Sequence, residues 1–522
     1  MFSAKIHDKI YLISLLLLVA SLPFSVYLTS VSQFLLLTNW VIEANFKYKF
    51  EKFKKNKSLW VFLILVLILL LSLFNTSDYA YAIKDLQIKL PLLALPVIIA
   101  TSRTLSFRKI KLIMLVFTSA LLINTLIGVV YYSVNTSEFE NIRDMSLFIS
   151  HIRLSLMINL SIFSLLYFLY YKKTDFKFEK FIYIFAILWF IVYLLWLQAF
   201  TGITVFVVVL FLLIIYKLIV SKNKKVKYIS LASLLAILFS LVISFGVALN
   251  NFYPDTYPNI ENLPKYTKLG NPYYHDYSSK LIENGNLIYI NISEIELRQV
   301  WAEKSSLSID SLDAKNQPVI HTIIRYLSSL NLTKDAEGLN NLNPDDIRAI
   351  EDGKANVRFK KGFTIDDRFY QIIWQLDVYF KGGNPSGHSV TQRLEYLKTG
   401  FYILGNNFFT GVGIGDVDQE YKEAYRKMPT PLKEEFQHRA HNQFLTFFIA
   451  FGAIGGILAM AAIFYPVIMS EGYKKYLFIV FLAIAVLSML ADDTLETAAG
   501  VTFFAFFYSL FLWGFKIKTD ES

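Results

Sequence analysis

No cysteine occurs in the 522 residues. This excludes a disulfide framework, an iron–sulfur cluster and cysteine-ligated zinc, and leaves the redox compartment unreadable. Charge is also scarce, at 18% of residues against roughly 25% in an ordinary soluble protein. Internal repeats and low-complexity tracts are missing. What is present is apolar, 55% of the chain, in uninterrupted runs of ~20 residues, the length that crosses a bilayer. A plain cytosolic enzyme is thereby excluded, and the class becomes a polytopic membrane protein.

The N-terminus carries Lys5 and Lys9 and then an apolar run over 10–41, interrupted at Pro23. No small-residue cleavage site closes it, so two short membrane helices are expected and not a removed signal peptide. Further runs lie at 59–74, 83–100, 110–132, 146–171, 181–197, 201–220 and 228–249, and three more at 442–469, 476–490 and 498–515. The expected fold is all-α and polytopic, with about twelve spans. Basic residues fill alternate connections: the loop from Lys47 to Lys57; Arg103, Arg108, Lys109 and Lys111; Lys172, Lys173, Lys177 and Lys180; Lys222, Lys224, Lys225 and Lys227; and the tail with Lys516 and Lys518. The intervening loops are poor in Lys and Arg or acidic, as in Glu138, Glu140 and Asp144, or Asp492, Asp493 and Glu496. By the positive-inside rule the basic loops and both ends are cytoplasmic. The formal net charge of +10 is then a topology signal, and no nucleic-acid partner is expected.

The same alternation puts the one soluble-looking segment outside, in the periplasm of a Gram-negative cell. The expected organisation is an N-terminal membrane domain over 1–249, a mainly helical extracytoplasmic domain over 250–388, a return segment over 389–441 and C-terminal membrane helices over 442–522. Ser293 with Glu296 reads as a capping box, and Asn343-Pro344 before Asp345 and Asp346, ending at Gly353, reads as a complete helix. A weak alternation over 286–292 suggests a strand.

The residues able to do chemistry concentrate late in the chain. Pro431 suits a helix start, and a helix through this point puts Glu434, His438 and His441 on one face at spacings of four and three. An imidazole at the outer surface can act as a general base on a weakly acidic hydroxyl; the same spacing also suits interfacial histidines that bond loop backbone. Arg393, at the start of an expected amphipathic helix, offers a planar fork for phosphate oxygens, or is a solvated surface arginine. Arg153 falls about a third of the way into the 146–171 span, two residues after His151, where an arginine needs a partner or water; snorkelling to the interface is the alternative. Gly411, Gly413 and Gly415 lack the preceding strand of a nucleotide-binding unit and read better as a tight re-entrant turn. Asp416 and Asp418 form a DxD pair of the kind that holds metal in some glycosyltransferases, though acidic loops produce such pairs by chance. His438 and His441 show no HExxH pattern and no third ligand.

Arg393 followed by the glycine run at 411–415, then Ala440-His441-Asn442 with Gly452 and Gly455 in the next helix, resembles the O-antigen ligase and polymerase superfamily of bacterial membrane glycosyltransferases. The resemblance is strongest over 391–460. Arg325-Tyr326-Leu327, the 384–388 run and the 492–497 run are similar to versions from Bacteroidetes-type bacteria. It implies a metal-independent, inverting transfer of a glycan from an undecaprenyl-pyrophosphate donor, without cofactor, at the periplasmic face of the inner membrane. The implied acceptor is lipid A core, or another glycan or protein. In that family His441 matches the catalytic histidine and Arg393 the arginine that engages the donor pyrophosphate; His438, Arg439, Asn442, His151 and the three glycines are expected to bind substrate beside them. A second family arginine is missing, since the comparable stretch reads Gln198-Ala199-Phe200-Thr201-Gly202; Arg153 is the expected replacement for its charge.

Overall fold

The computed structural model of the chain describes residues 4–135, 142–170, 177–253, 257–361 and 365–515. Glu138, Glu140, Lys172, Lys173, Lys516 and Lys518, used above to assign sides, lie outside the described residues, as does the Lys177 side chain. The chain opens with α1 (Ala4–Ser21) and α2 (Val26–Ile42), parted at Pro23 as expected. The basic connection that follows is not a loop: it forms α3 (Phe46–Lys55), which leads into α4 (Lys57–Leu71). The run at 83–100 is not one span but two helices, α5 (Tyr79–Lys89) and α6 (Pro91–Thr101). Pro91 lacks the N–H that would continue α5 and is well suited to the first position of α6. Next come α7 (Phe107–Val134), α8 (His151–Tyr170), α9 (Lys177–Trp196), α10 (Phe200–Val220) and α11 (Lys224–Phe252). α8 begins at His151 and not near residue 146, so Arg153 lies in its first turn.

The stretch after α11 holds α12 (Glu294–Lys304), α13 (Val319–Ser329), α14 (Ala336–Asn340), α15 (Pro344–Glu351) and α16 (Ile365–Phe380). Then follow α17 (Ser389–Asn406), α18 (Val417–Lys427), α19 (Gln443–Met469), α20 (Tyr476–Ala491) and α21 (Ala498–Leu512). Among the described residues, seven helices are long and apolar enough to cross a membrane: α4 with the turn after it, α7 to α11, and α19; α2, α20 and α21 are shorter apolar helices. The chain is thus a mostly helical, polytopic membrane protein.

Two compact units result: Met1–Leu213, Glu395–Thr430 and Gln437–Ser522 in the first, Ile214–Leu394 and Pro431–Phe436 in the second. Two of the four cuts fall inside helices, α10 and α17, and the other two flank 431–436. In the first unit α21 is buried all round, from Val501 to Leu512, as a helix apolar on every face should be. It packs on α6 and α20, while α19 packs on α4 and α1 on α2 and α7.

In the second unit Leu297 and Trp301 of α12, Ile323 and Leu327 of α13, Leu339 and Ile350 form the core. Asn343 caps α15 as expected, and Asp346 closes that cap into a box. The Ser293 box does not form: Glu296 is buried, accepts from Asn271 Nδ2 (2.8 Å) and Ala336 N (3.0 Å), and takes the Thr267 hydroxyl. Tying three segments together outweighs capping one helix. The expected strand shrinks to β1 (Ile282–Glu283) and β2 (Asn286–Leu287), paired antiparallel.

α19 is broken at Gly452, where φ is +69°. The glycine run enters the break: Val412 N donates to Ile449 O (2.9 Å), Gly413 N to Ala450 O (2.9 Å), and Ala453 N to Phe408 O (2.7 Å). Carbonyls that a helix would satisfy are satisfied by this neighbouring strand-like segment. A Cβ on Gly452 would collide with the Phe409 carbonyl. Gly452→Ala is therefore expected to cost about 1–3 kcal/mol from backbone strain alone, read as a lower melting temperature of the purified protein in detergent; an unchanged melting temperature contradicts this packing.

Candidate active site

Within the first unit two polar loops meet. One is 438–442, leading into α19; the other is 492–497, between α20 and α21. Asn442 caps α19, its Oδ1 accepting from Leu445 N (3.0 Å), and its Nδ2 donates to Leu490 O (3.2 Å). The expected helix over 431–441 does not form: only a 3-10 turn, Glu434–Phe436, appears. Tertiary bonds decide the local conformation instead. Tyr425 donates to the His438 carbonyl (2.8 Å), and His441 is held at φ +48°, a left-handed conformation uncommon for a residue with a side chain. The loop still brings the two histidines together, with ring centroids 6.3 Å apart and the Tyr396 ring 5.9 Å from His438 and 5.5 Å from His441.

His441 Nδ1 lies 3.5 Å from Asp492 Oδ1, and the ring is 38% exposed. The other oxygen of Asp492 lies 2.9 Å from Arg153 Nη1, which is buried and not aligned for a hydrogen bond. Arg153 Nη2 donates to Thr497 Oγ1 (3.2 Å) and reaches the Asp493 carbonyl (3.5 Å). Imidazole, carboxylate and guanidinium thus stand in a row. Burial by itself would raise the Asp492 carboxyl, but the His441 hydrogen bond and the Arg153 charge outweigh it and hold it below the ordinary carboxylate range. Burial lowers His438, helped by the neighbouring His441, which favours its neutral form.

A second network backs the first. Glu496 Oε2 is 2.8 Å from Lys89 Nζ and 3.4 Å from Arg439 Nη1, and Glu496 Oε1 accepts from Gln443 Nε2 (3.0 Å). Lys89 also pairs with Asp85 (2.6 Å), and Arg439 with Asp418 and the Tyr81 hydroxyl (2.9 Å for the latter). Gln443 Oε1 accepts from Leu495 N (2.6 Å). The residues two before and two after His441 are therefore both fastened to the loop that carries Asp492. Burial raises Asp493, with the Glu496 charge adding to it.

Glu496 behaves oppositely. Burial opposes its charge, but Lys89 and Arg439 prevail and lower it from 4.5 to about 2. A depressed carboxyl contributes stability that is present above pH 4.5 and lost as pH falls toward about 2. The contribution is on the order of 3 kcal/mol. Wild-type protein should lose melting temperature across that window more steeply than Glu496→Gln, and parallel curves would remove the network's role.

The other expected site residues are placed as follows. His151 is the first residue of α8, part-buried, two before Arg153. Gly411 and Gly413 have positive φ and fill the α19 break, and a Cβ on Gly413 or Gly415 would meet the 75–78 backbone. Asp416 accepts from Ser77 N (2.6 Å) and Asp78 N (2.8 Å), while Asp418 goes to Arg439; the DxD carboxylates serve different partners. Among the described residues no group of three or more His, Asp or Glu could hold a metal. Arg393 lies in the second unit, in the second turn of α17. The start of that helix is held by Gln375 Oε1, which accepts from Val390 N (3.0 Å), and by Arg368 Nη2, which donates to Ser389 Oγ (3.2 Å). Sequence reasoning gave no site role to Lys89 or Tyr396, nor to Asp492 and Glu496, which it read only as an acidic loop and part of the resemblance. The available signal was three carboxylates in a short loop between two apolar helices.

Residues 361–460 match the family model of the O-antigen ligase. No curated protein matches the chain. The O-antigen ligase match bears out the resemblance read from the motifs and supports a ligase or polymerase type of function in surface-glycan synthesis. It contains Arg393, the glycine run, His438, Arg439, His441 and Asn442. Arg153, Asp492 and Glu496 lie outside it and join His441 only through the fold.

Proposed function

We propose that the chain is a polytopic inner-membrane glycosyltransferase with its site at the periplasmic face. It joins a glycan from an undecaprenyl-pyrophosphate donor to lipid A core oligosaccharide. The observation that carries this reading is the row His441–Asp492–Arg153, one member of which lies inside the O-antigen ligase match. With Nδ1–H directed at Asp492, the Nε2 of His441 has a free lone pair. It takes the proton of the acceptor hydroxyl as that oxygen attacks the anomeric carbon. The bond to the pyrophosphate breaks on the opposite side, its electron pair leaves with the lipid diphosphate, and the sugar inverts.

Arg393 is assigned to the diphosphate by the family resemblance: its guanidinium fork suits the charge that develops there, and the donor itself supplies the driving force without ATP or a metal. Arg153 takes a different part from the one its sequence position suggests. Buried and engaged by Asp492 and Thr497, it holds the carboxylate that orients the base, so its charge reaches the site through Asp492.

The deciding experiment is deletion of the gene with analysis of surface glycans. Undecorated lipid A core is the expected result. Single repeat units on the core would assign a polymerase, and unglycosylated periplasmic proteins a protein O-oligosaccharyltransferase. Purified protein in detergent, given lipid-linked donor and acceptor, should form the glycosidic bond in the presence of EDTA. A transporter would form none, and activity lost to EDTA and restored by magnesium or manganese would overturn the metal-free mechanism.

A further inference from the structure

α3 is a basic connection folded as a short helix of its own that presents aromatic rings to its surroundings. Its sequence, Phe46-Lys47-Tyr48-Lys49-Phe50-Glu51-Lys52-Phe53-Lys54-Lys55, divides into two faces. Lys49 and Lys52 turn inward. Lys49 bonds the Trp40 carbonyl in the last turn of α2 and pairs with Glu43 (3.0 Å), and Lys52 Nζ donates to Ser102 O just past α6 (2.6 Å). Cations at helix C-termini satisfy orphan carbonyls and complement the helix dipoles. The two ends are tied to each other by Trp40 Nε1 and Thr101 Oγ1 (2.9 Å). α3 therefore lies across the ends of two apolar helices that run together, which sets it along the membrane surface and not through it.

The other face is open. Phe46 and Phe50, one turn apart, are 52% and 56% exposed. Lys47, Lys54 and Lys55 are exposed and make no ion pair among the described residues. Lys54 stands over the Phe50 ring at 4.6 Å. Rings beside unpaired cations on a helix held in the surface plane are what the boundary between hydrocarbon and phosphate accepts. An acidic soluble partner would leave the two phenylalanines without a reason.

We infer that α3 is an in-plane binding surface for anionic phospholipid headgroups, with Lys47, Lys54 and Lys55 on the phosphates and Phe46 and Phe50 at the acyl boundary. Each such lysine is attracted to an anionic surface, so the three together are expected to set a preference of at least about tenfold over zwitterionic lipid. The full-length protein in detergent is offered equal phosphatidylglycerol and phosphatidylcholine of matched chains, and retained lipid is counted by native mass spectrometry. Wild type should favour phosphatidylglycerol about tenfold, and a combined Lys47→Gln, Lys54→Gln and Lys55→Gln variant should lose most of that. A control with Lys222, Lys224 and Lys225 changed to Gln should keep it. The wild-type preference should also fall as salt rises, a measurement that needs no variant to fold. The inference is overturned if the α3 variant keeps the preference, if the control loses it equally, if salt leaves it unchanged, or if polyglutamate and not lipid is what α3 retains.

Discussion

His441→Ala is expected to reduce transfer by about 10²–10⁴-fold, the span that removing a positioned general base produces, while the protein stays folded and inserted. The assay is glycosidic-bond formation by purified protein with lipid-linked donor and acceptor, beside the melting temperature of the same sample. Alanine is an imperfect probe here, because residue 441 sits at φ +48° and a left-handed backbone strains most side chains. His441→Asn separates the two effects, since asparagine tolerates that conformation and lacks a base. Both variants should be inactive, with Asn the more stable. Full activity in either ends the assignment of His441 as base.

Arg153→Lys should lower turnover at least about tenfold, or 1.4 kcal/mol in the barrier. A lysine presents one point charge where the arginine spans Asp492, Thr497 and the Asp493 carbonyl at once. Because Arg153 acts through Asp492, the loss should fall on kcat, with the KM for donor little changed. Combining Arg153→Lys with Asp492→Asn should cost much less than the product of the two single effects, as expected of residues working as a unit. A donor KM that rises instead would mean that Arg153 grips the diphosphate directly. Wild-type turnover would reduce it to a structural ion pair.

Much of the helical framework was legible because its signals are local. Pro23 parts α1 from α2, Asn343 with Asp346 builds the α15 box, and Asn442 stands immediately before α19. The family motif was equally local, with Arg393, the glycines and His441 in one stretch. What could not be read joins distant parts of the chain. Arg153 meets Asp492, and Lys89 meets Glu496, with no periodicity linking them. The same long-range bonds explain the local errors. A helix through His438 and His441 was a sound reading of spacing, but Arg439 bound to Asp418, Tyr81 and Glu496 is worth more than one helical turn. Lys49 and Lys52 likewise drew the 47–57 connection into a helix by giving it two helix ends to dock on.

The interruption of α19 bears on how the protein is made. As that segment leaves the translocon, the carbonyls of Ile449 and Ala450 meet hydrocarbon unbonded, at several kcal/mol each. The stretch that relieves them, 408–413, precedes α19 in the chain and is synthesised first. Integration and assembly are therefore one event at this point, and the ribosome's order of delivery, later helix onto earlier receptor, is the order that the chemistry requires.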